Sequence, residues 1–464
     1  MAAMVPLTLA LWVPTVVVMF AMMKPHKAAM WAFVLGWMYL PELGIGLPGL
    51  PDFTKVSSTA IAIMLGVCLF DMQRLASFRP SLWDVPIVLW CIAPFMSSVV
   101  NGDGVYDGLS SMLKVILPWG FPYLIGRLYL SNPIQAREMA RIMFIATIIY
   151  LPLVWLELII SPQLHLKVYG QHAHQFIHSI RWGGYRPRVF MKNGLILGLW
   201  MAGAGICGVI LWHTKQLKDV FGMPISWLVP IQLVTFVFCK SSGALVLGMA
   251  GIGLYFSTYY IKTRVVMLGV LMALPIYLSS RVIFDWDAQP ILDTAGSVFS
   301  PQRVESLQVR IYNENELRDK AMERPLFGWG GYNRSRIQNE EGEDTSTTDS
   351  AWIIVLGQNG LLGLISFFGV LMLPMLRVAY RVPPKEWRHP VIGPSIALAM
   401  VLGIFMIDRL LNAQINPIPL MIAGGLTTMP WRKVFAMIQM QAIMNRAKKR
   451  GLGVQEHPSR SNTQ

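Results

Sequence analysis

Apolar stretches of about 20 residues, each long enough to cross a hydrocarbon core of roughly 30 Å, recur along nearly the whole chain. In lipid, every backbone N–H and C=O must find its partner within the protein, so such stretches commit the chain to helices. They predict an all-α polytopic membrane protein with about 12 or 13 transmembrane helices. The candidate spans are residues 5–23, 28–49, 57–70, 84–100, 107–126, 142–160, 193–212, 223–239, 243–261, 265–280, 351–376, 391–411 and 415–430. Of 464 residues, 54% are hydrophobic and 14% are charged; soluble domains carry roughly 25% charged residues. Segment 5–23 lacks a charged leader and a small-residue cleavage site, and reads as a retained first span.

The net charge of +14 could suit nucleic acid, but it is interrupted by spans rather than gathered on one domain, so no nucleic-acid partner is expected. Under this span count, loops with Lys24/Lys27, Arg74/Arg79, Arg137/Arg141, Lys215/Lys218, Lys262/Arg264 and Arg377/Arg381/Lys385/Arg388 fall on one side. The positive-inside rule makes that side cytoplasmic. One transmembrane domain then occupies residues 1–430, followed by a basic cytoplasmic tail, 431–464, with Arg446, Lys448, Lys449 and Arg450. Two long loops, 161–192 and 281–350, fall outside. The longer, a large extracytoplasmic loop, predicts a partly amphipathic helix over 304–324 that lies against the membrane and ends at Pro325 and glycines. Cys68, Cys91, Cys207 and Cys239 sit in apolar segments without paired spacing, as small core residues do.

One charge cluster runs against the orientation rule. Loop 161–192 holds Lys167, Arg181, Arg186, Arg188 and Lys192, with no Asp or Glu between 161 and 190. A long loop can translocate whatever its charge. Alternatively, the cluster is an anion site, because the arginine fork fits phosphate oxygens and stays charged at any physiological pH. Lys240, in a tight turn between two apolar spans, must likewise snorkel or find an anion. Arg186, Arg188 and Lys240 are therefore candidates for binding a lipid-linked phosphate or diphosphate. His165, His172, His174 and His178 crowd the same loop, but one tract without a nearby Cys or carboxylate does not define a metal site. No metal and no cofactor are expected.

The later loop carries a recognisable pattern. Arg310 is followed by IYNENELRDKAME, Arg324, Pro325 and LFGWGGY; after a polar gap come Asp349, Ser350 and AWIIVLGQNGLLGL. Over residues 308–364 this resembles the O-antigen ligase and polymerase family, with weaker echoes at Arg186-Pro187-Arg188 and Lys240-Ser241-Ser242-Gly243. The resemblance implies a GT-C-like, metal-independent glycosyltransferase of the bacterial inner membrane, active on the extracytoplasmic side. Its donor would be a glycan on undecaprenyl diphosphate, and its acceptor a hydroxyl of another glycan. A chain-length regulator or flippase is the implied partner. Members that ligate O-antigen carry a histidine near the end of the large loop, followed by Asn. Here the place reads Asp349-Ser350 and residues 281–350 contain no histidine, which favours a polymerase of exopolysaccharide or O-antigen repeats.

For such a transfer, Asp349 is the expected base, with Glu316 second. Arg310 joins Arg186, Arg188 and Lys240 in the cradle for developing negative charge. Asp349 could equally cap the helix starting at Ala351. The polyprenyl chain would lie along the spans of 193–280. Two other classes stay open: a secondary transporter, for which Asp408/Arg409 is the close ionisable pair, or a structural ion pair instead, and a non-catalytic assembly protein.

Overall fold

The computed structural model describes residues 4–47, 50–181, 183–298, 301–346 and 348–449, and its regular structure is overwhelmingly helical. First come α1 (Met4–Met22) and α2 (Pro25–Tyr39); a hairpin of β1 (Ile45–Leu47) and β2 (Leu50–Phe53) leads to α3 (Lys55–Phe70) and α4 (Met72–Ala76). Next are α5 (Val85–Val100), α6 (Val105–Val115), α7 (Phe121–Tyr129) and α8 (Pro133–Ile159). The first long loop holds α9 (Leu164–Tyr169) and paired strands β3 (Ile180–Arg181) and β4 (Gly184–Tyr185). Four helices follow: α10 (Gly194–His213), α11 (Ile225–Phe238), α12 (Ser242–Ile261) and α13 (Val265–Val282). The second long loop carries α14 (Gln289–Val298) and α15 (Pro301–Met322), ahead of α16 (Ala351–Arg381), α17 (Gly393–Asp408) and α18 (Pro417–Thr427). This unit ends at Thr428; a second begins at Met429 and contains α19 (Trp431–Lys449). Arg450 and the rest of the expected tail lie outside the described residues.

Seven helices among the described residues are long and apolar enough to cross a membrane: Met4–Met22, Leu82–Val100, Pro133–Ile159, Gly194–His213, Ser242–Ile261, Val265–Val282 and Ala351–Arg381. Four shorter apolar helices, α3, α11, α17 and α18, pack among them. Leu69, Trp227, Met249, Val265, Ile276 and Ile365 are each more than 60% exposed. An apolar surface this extensive suits lipid and not water. The chain is a multi-span helical membrane protein.

Breakers trim the expected spans. The stretch 28–49 is helical only to Tyr39, after which Pro41, Gly44 and Gly46 turn the chain into the hairpin. The stretch 107–126 divides into α6 and α7 around a π-helical turn, Ile116–Gly120, that contains Pro118. Helix α15 forms close to its expected place. Its buried positions Ile311, Glu314, Leu317, Arg318 and Ala321 follow helical spacing. It packs against α14 and α16.

Loops with basic residues meet at one end of the bundle. There Arg127 pairs with Asp84 at 2.7 Å and donates to the Arg79 carbonyl at 3.0 Å, while Arg74 donates to the Leu128 carbonyl at 2.9 Å. The two long loops gather at the opposite end. Arg281, at the end of α13, is fully buried and pairs with Glu314 of α15 at 3.4 Å. Burial raises the Glu314 pKa, and the Ser350 hydroxyl donates to the same carboxylate. That contact ties α15 to the start of α16.

The glycine-rich motif after α15 has a mechanical role. Helix α16 breaks at Gly360, where φ is 63° and ψ is −160°. The segment 325–330 enters the break. Leu361 N–H donates to Pro325 at 2.7 Å and Leu362 N–H to Leu326 at 3.2 Å. In return, Trp329 N–H donates to Gly357 at 2.8 Å and Gly330 N–H to Gln358 at 3.0 Å. The backbone groups freed by the break are thus satisfied by another segment, as a lipid environment demands. A Cβ at Gly360 would stand 2.5 Å from the Leu326 carbonyl, and one at Gly328 (φ +69°) would stand 2.6 Å from Asn359 N. Gly360→Ala is therefore expected to lower the thermal unfolding midpoint in detergent, since this backbone region, essentially confined to glycine, alone costs another residue about 1–3 kcal/mol. Gly253→Ala in α12, where a Cβ meets nothing within 4 Å, is expected to leave the midpoint unchanged or slightly raised. Equal midpoints for the two variants would remove the break from the requirements of the fold.

Candidate functional site

At the loop-bearing end lies a cavity of about 980 Å³. Its wall begins with the last turn of α2, the polar turn after it and the N-terminus of α3, which supply Trp37, Glu42 and Lys55. The first long loop adds His174, Arg181, Arg186 and Lys192. Asp349, just before α16, and Asn412 and Gln414, between α17 and α18, complete it. A smaller hollow of about 360 Å³ shares Ile354, Ala413 and Ile415 with it. Its floor is a ring cluster of Trp90, Trp119 and Phe367 with centroids 4.7–5.4 Å apart.

Arg186 is 5% exposed, and its Nη2 donates to Ser241 Oγ at 3.0 Å. Its Nε is buried without a partner among the described residues. Burial, with the charge of Arg181 beside it, pushes the Arg186 pKa down to about 10. Among the described residues, Arg181, Arg186 and Lys192 have no carboxylate within ion-pair distance. The cavity therefore holds uncompensated positive charge, which a bound anion would relieve.

Arg188 has a different place. Its backbone N–H and that of Val189 donate to Glu157 Oε2 at 2.8 and 2.7 Å, and Leu164 N–H donates to Glu157 Oε1 at 3.0 Å. The Arg188 guanidinium donates to the His174 carbonyl at 2.9 Å and to His172 Nδ1 at 2.8 Å. Burial and Arg188 push the His172 pKa down, in the direction that favours a ring able to accept. Arg188 thus staples the loop and does not line the cavity. Lys240 adopts a left-handed conformation (φ +51°), lies against Gly184 and also falls outside the cavity lining.

The Asp349 carboxylate is exposed within the cavity. The N-cap of α16 is Ser350, without a side-chain cap bond, so Asp349 is not the cap. Arg310 does not line the cavity; its Nη1 donates to the Leu411 carbonyl at 3.1 Å, one residue before the lining residue Asn412. Glu316 does not line the cavity and is hydrogen-bonded to the exposed Tyr312, whose pKa it raises. The cavity thus brings Arg186 and Asp349 together, and leaves Arg310, Arg188, Lys240 and Glu316 outside its lining.

Sequence reasoning missed Glu42 and Lys55. Lys55 is 4% exposed, pairs with Glu42, donates to the Trp37 carbonyl at 3.1 Å and sits 4.2 Å from the Trp37 ring centroid. Glu42 also accepts the Lys192 backbone N–H at 2.9 Å. The signal was an ionisable residue at each edge of the β1–β2 turn, concealed when 28–49 is taken as one span. Asp408 and Arg409 form an ion pair; Arg409 also donates to the Gln414 carbonyl, and Asn412 donates to Asp408 at 2.7 Å. This structural pair shapes the cavity edge. Among the described residues, no group of three or more His, Cys, Asp or Glu side chains converges as a metal site; the His178 side chain lies outside those described.

Compared with known proteins, the chain matches no protein-family model and no curated relative.

Glu157→Ala would leave two buried N–H groups, those of Arg188 and Val189, without their acceptor, at about 1–3 kcal/mol each, and free the half-buried one of Leu164. In protein folded in detergent, trypsin cleavage at Arg181 and Lys192 is expected to speed up by about tenfold or more. Unchanged protection would show that the Glu157 carboxylate does not hold the loop.

Proposed function

We propose that the protein is a metal-independent glycosyltransferase, which transfers a glycan from undecaprenyl diphosphate to a hydroxyl of a second glycan. The reading places it in the bacterial inner membrane, with the cavity facing the extracytoplasmic side. Polymerisation of exopolysaccharide or O-antigen repeats is the favoured form. The observation that carries it is one cavity holding both an uncompensated cationic wall and an exposed carboxylate, Asp349. The resemblance to the O-antigen ligase and polymerase family, in residues 308–364, points the same way. A GT-C-like count of about 12 or 13 crossings follows if α2, α3, α6–α7, α11, α17 and α18 cross with the seven long helices.

The chemistry needs few groups. The acceptor oxygen attacks the anomeric carbon and forms the new glycosidic bond as the bond from that carbon to the diphosphate oxygen breaks. Asp349 takes the hydroxyl proton. Undecaprenyl diphosphate leaves with negative charge, which Arg186, Arg181 and Lys192 stabilise where it develops. Lys55 and Glu42, held by each other, shape the wall beside Lys192. The adjoining aromatic hollow gives a second compartment, suited to a sugar face or an apolar chain.

The test is glycan chain length on a gel, in a strain lacking the protein and complemented with variants at matched membrane levels. Wild type and Glu316→Gln are expected to restore long polymer, while Asp349→Asn and Arg186→Ala leave single lipid-linked repeats, a loss of at least about a hundredfold. Full polymer from both site variants would overturn the assignment. Polymer that forms without the protein but stays unattached would instead identify a ligase. Intact glycan transfer without the protein would leave a transporter or assembly role.

A further inference from the structure

The end of the bundle opposite the large cavity has its own recess. Helices α10 and α12 and the α16–α17 connection enclose an open pocket of about 460 Å³. His213, Lys215, Tyr259, Lys385, Arg388 and His389 line it. Among the described residues Glu386 is the one acid on its wall, and none of Lys215, Lys385 and Arg388 forms an ion pair. Lys215 follows α10 while Lys385 and Arg388 come from the α16–α17 connection, so the charge converges on the pocket from two elements.

The backbone presents these cations in a fixed frame. Lys215 closes α10 in the left-handed region (φ +56°), with its N–H on the Trp212 carbonyl at 3.0 Å and Gln216 N–H on the Leu211 carbonyl at 2.8 Å. Across from it, α17 starts without a side-chain cap, and Gly393 in its first turn abuts Thr214 of the pocket wall. The positive end of this 16-residue helix adds to the field. His213 is held by Tyr255, with Nδ1 and the phenol oxygen 2.8 Å apart.

The pocket's level relative to the bilayer is marked by its neighbours. Trp212, Tyr260 and Tyr380, at the ends of α10, α12 and α16, are 45%, 67% and 68% exposed. Exposed Trp and Tyr rings at the ends of apolar helices mark the headgroup level. Ile261 and Val265, 62% and 71% exposed, continue the surface as apolar. An anion held here has a place for acyl chains beside it.

We propose that this pocket binds the phosphate of an anionic membrane phospholipid. Lys215, Lys385 and Arg388 contact the phosphate oxygens, Tyr259 and the flanking rings lie at the glycerol level, and the chains run down the exposed apolar faces. The inference does not rest on the glycosyltransferase reading and concerns the other end of the molecule.

Native mass spectrometry of the detergent-purified full chain tests it, with phosphatidylglycerol and phosphatidylcholine of identical acyl chains as probes. Wild type is expected to retain phosphatidylglycerol preferentially. The triple variant Lys215→Ala, Lys385→Ala, Arg388→Ala is expected to lose at least about tenfold of that affinity, since each surface cation contributes about fivefold. A control triple, Lys218→Ala, Lys262→Ala, Arg264→Ala, removes the same charge at the same end and is expected to keep most of the affinity. Equal retention by wild type and the pocket triple would overturn the site, and an equal loss in the control triple would reduce it to a general field. Displacement of phosphatidylglycerol by millimolar inorganic phosphate would overturn the lipid assignment in favour of a free anion.

Discussion

A backbone amide in hydrocarbon has no water to turn to, and the arrangement of this protein follows from where its irregular segments find partners. Segment 325–330 enters the break in α16 and takes both the N–H groups and the carbonyls that Gly360 sets free. Glu157, at the end of α8, gathers N–H groups from Leu164, Arg188 and Val189, so one carboxylate sets the course of the first long loop. Arg281 and Glu314 do the same for the second loop, at the price of burying two charges that need each other. Each device uses a side chain or turn at the edge of a span to hold a loop over the bundle.

These devices explain which cations can meet a ligand. Arg188, Arg281 and Arg409 have carbonyl or carboxylate partners, so their charge is engaged in holding chain segments. Arg186 lies two residues from Arg188 and, among the described residues, has only a serine hydroxyl as its side-chain partner. With Arg181 and Lys192 it leaves the cavity positive. Positive charge without an internal partner is costly when buried, and it persists here on a wall that faces open space. The same contrast appears at the other end, where Arg127 and Arg377 are bound to the chain while Lys215, Lys385 and Arg388 face a pocket.

The large cavity and the basic pocket lie at opposite ends of the same helices, α10, α16 and α17. At about 1.5 Å per residue, the 20 residues of α10 span about 30 Å between them. The break in α16 lies between the two ends, with Gln358 and Asn359 lining the aromatic hollow and Gly360 gripped by the loop. The two recesses are thus parts of one bundle.

Much of this was legible in the chain. The long apolar stretches dictated a membrane-spanning helical bundle, because hydrophobic length is a local property. The α15 helix was equally readable from its spacing and the breakers after it. The charge excess of loop 161–192 was visible without any partner, and the structure sets Arg181, Arg186 and Lys192 of that loop on one cavity wall. What the sequence left undecided depended on distant contacts. Arg186 and Arg188 look alike in the chain; Ser241, 55 residues from the first, and Glu157, 31 residues from the second, whose backbone it holds while His172 and His174 engage the guanidinium, separate their roles. Glu42 and Lys55 were hidden because hydropathy does not register a hairpin within an apolar stretch. Tertiary structure alone decided that Asp349 faces the cavity while Glu316 does not. A carboxylate's surroundings are set by the helices packed around it, and those come from remote parts of the chain.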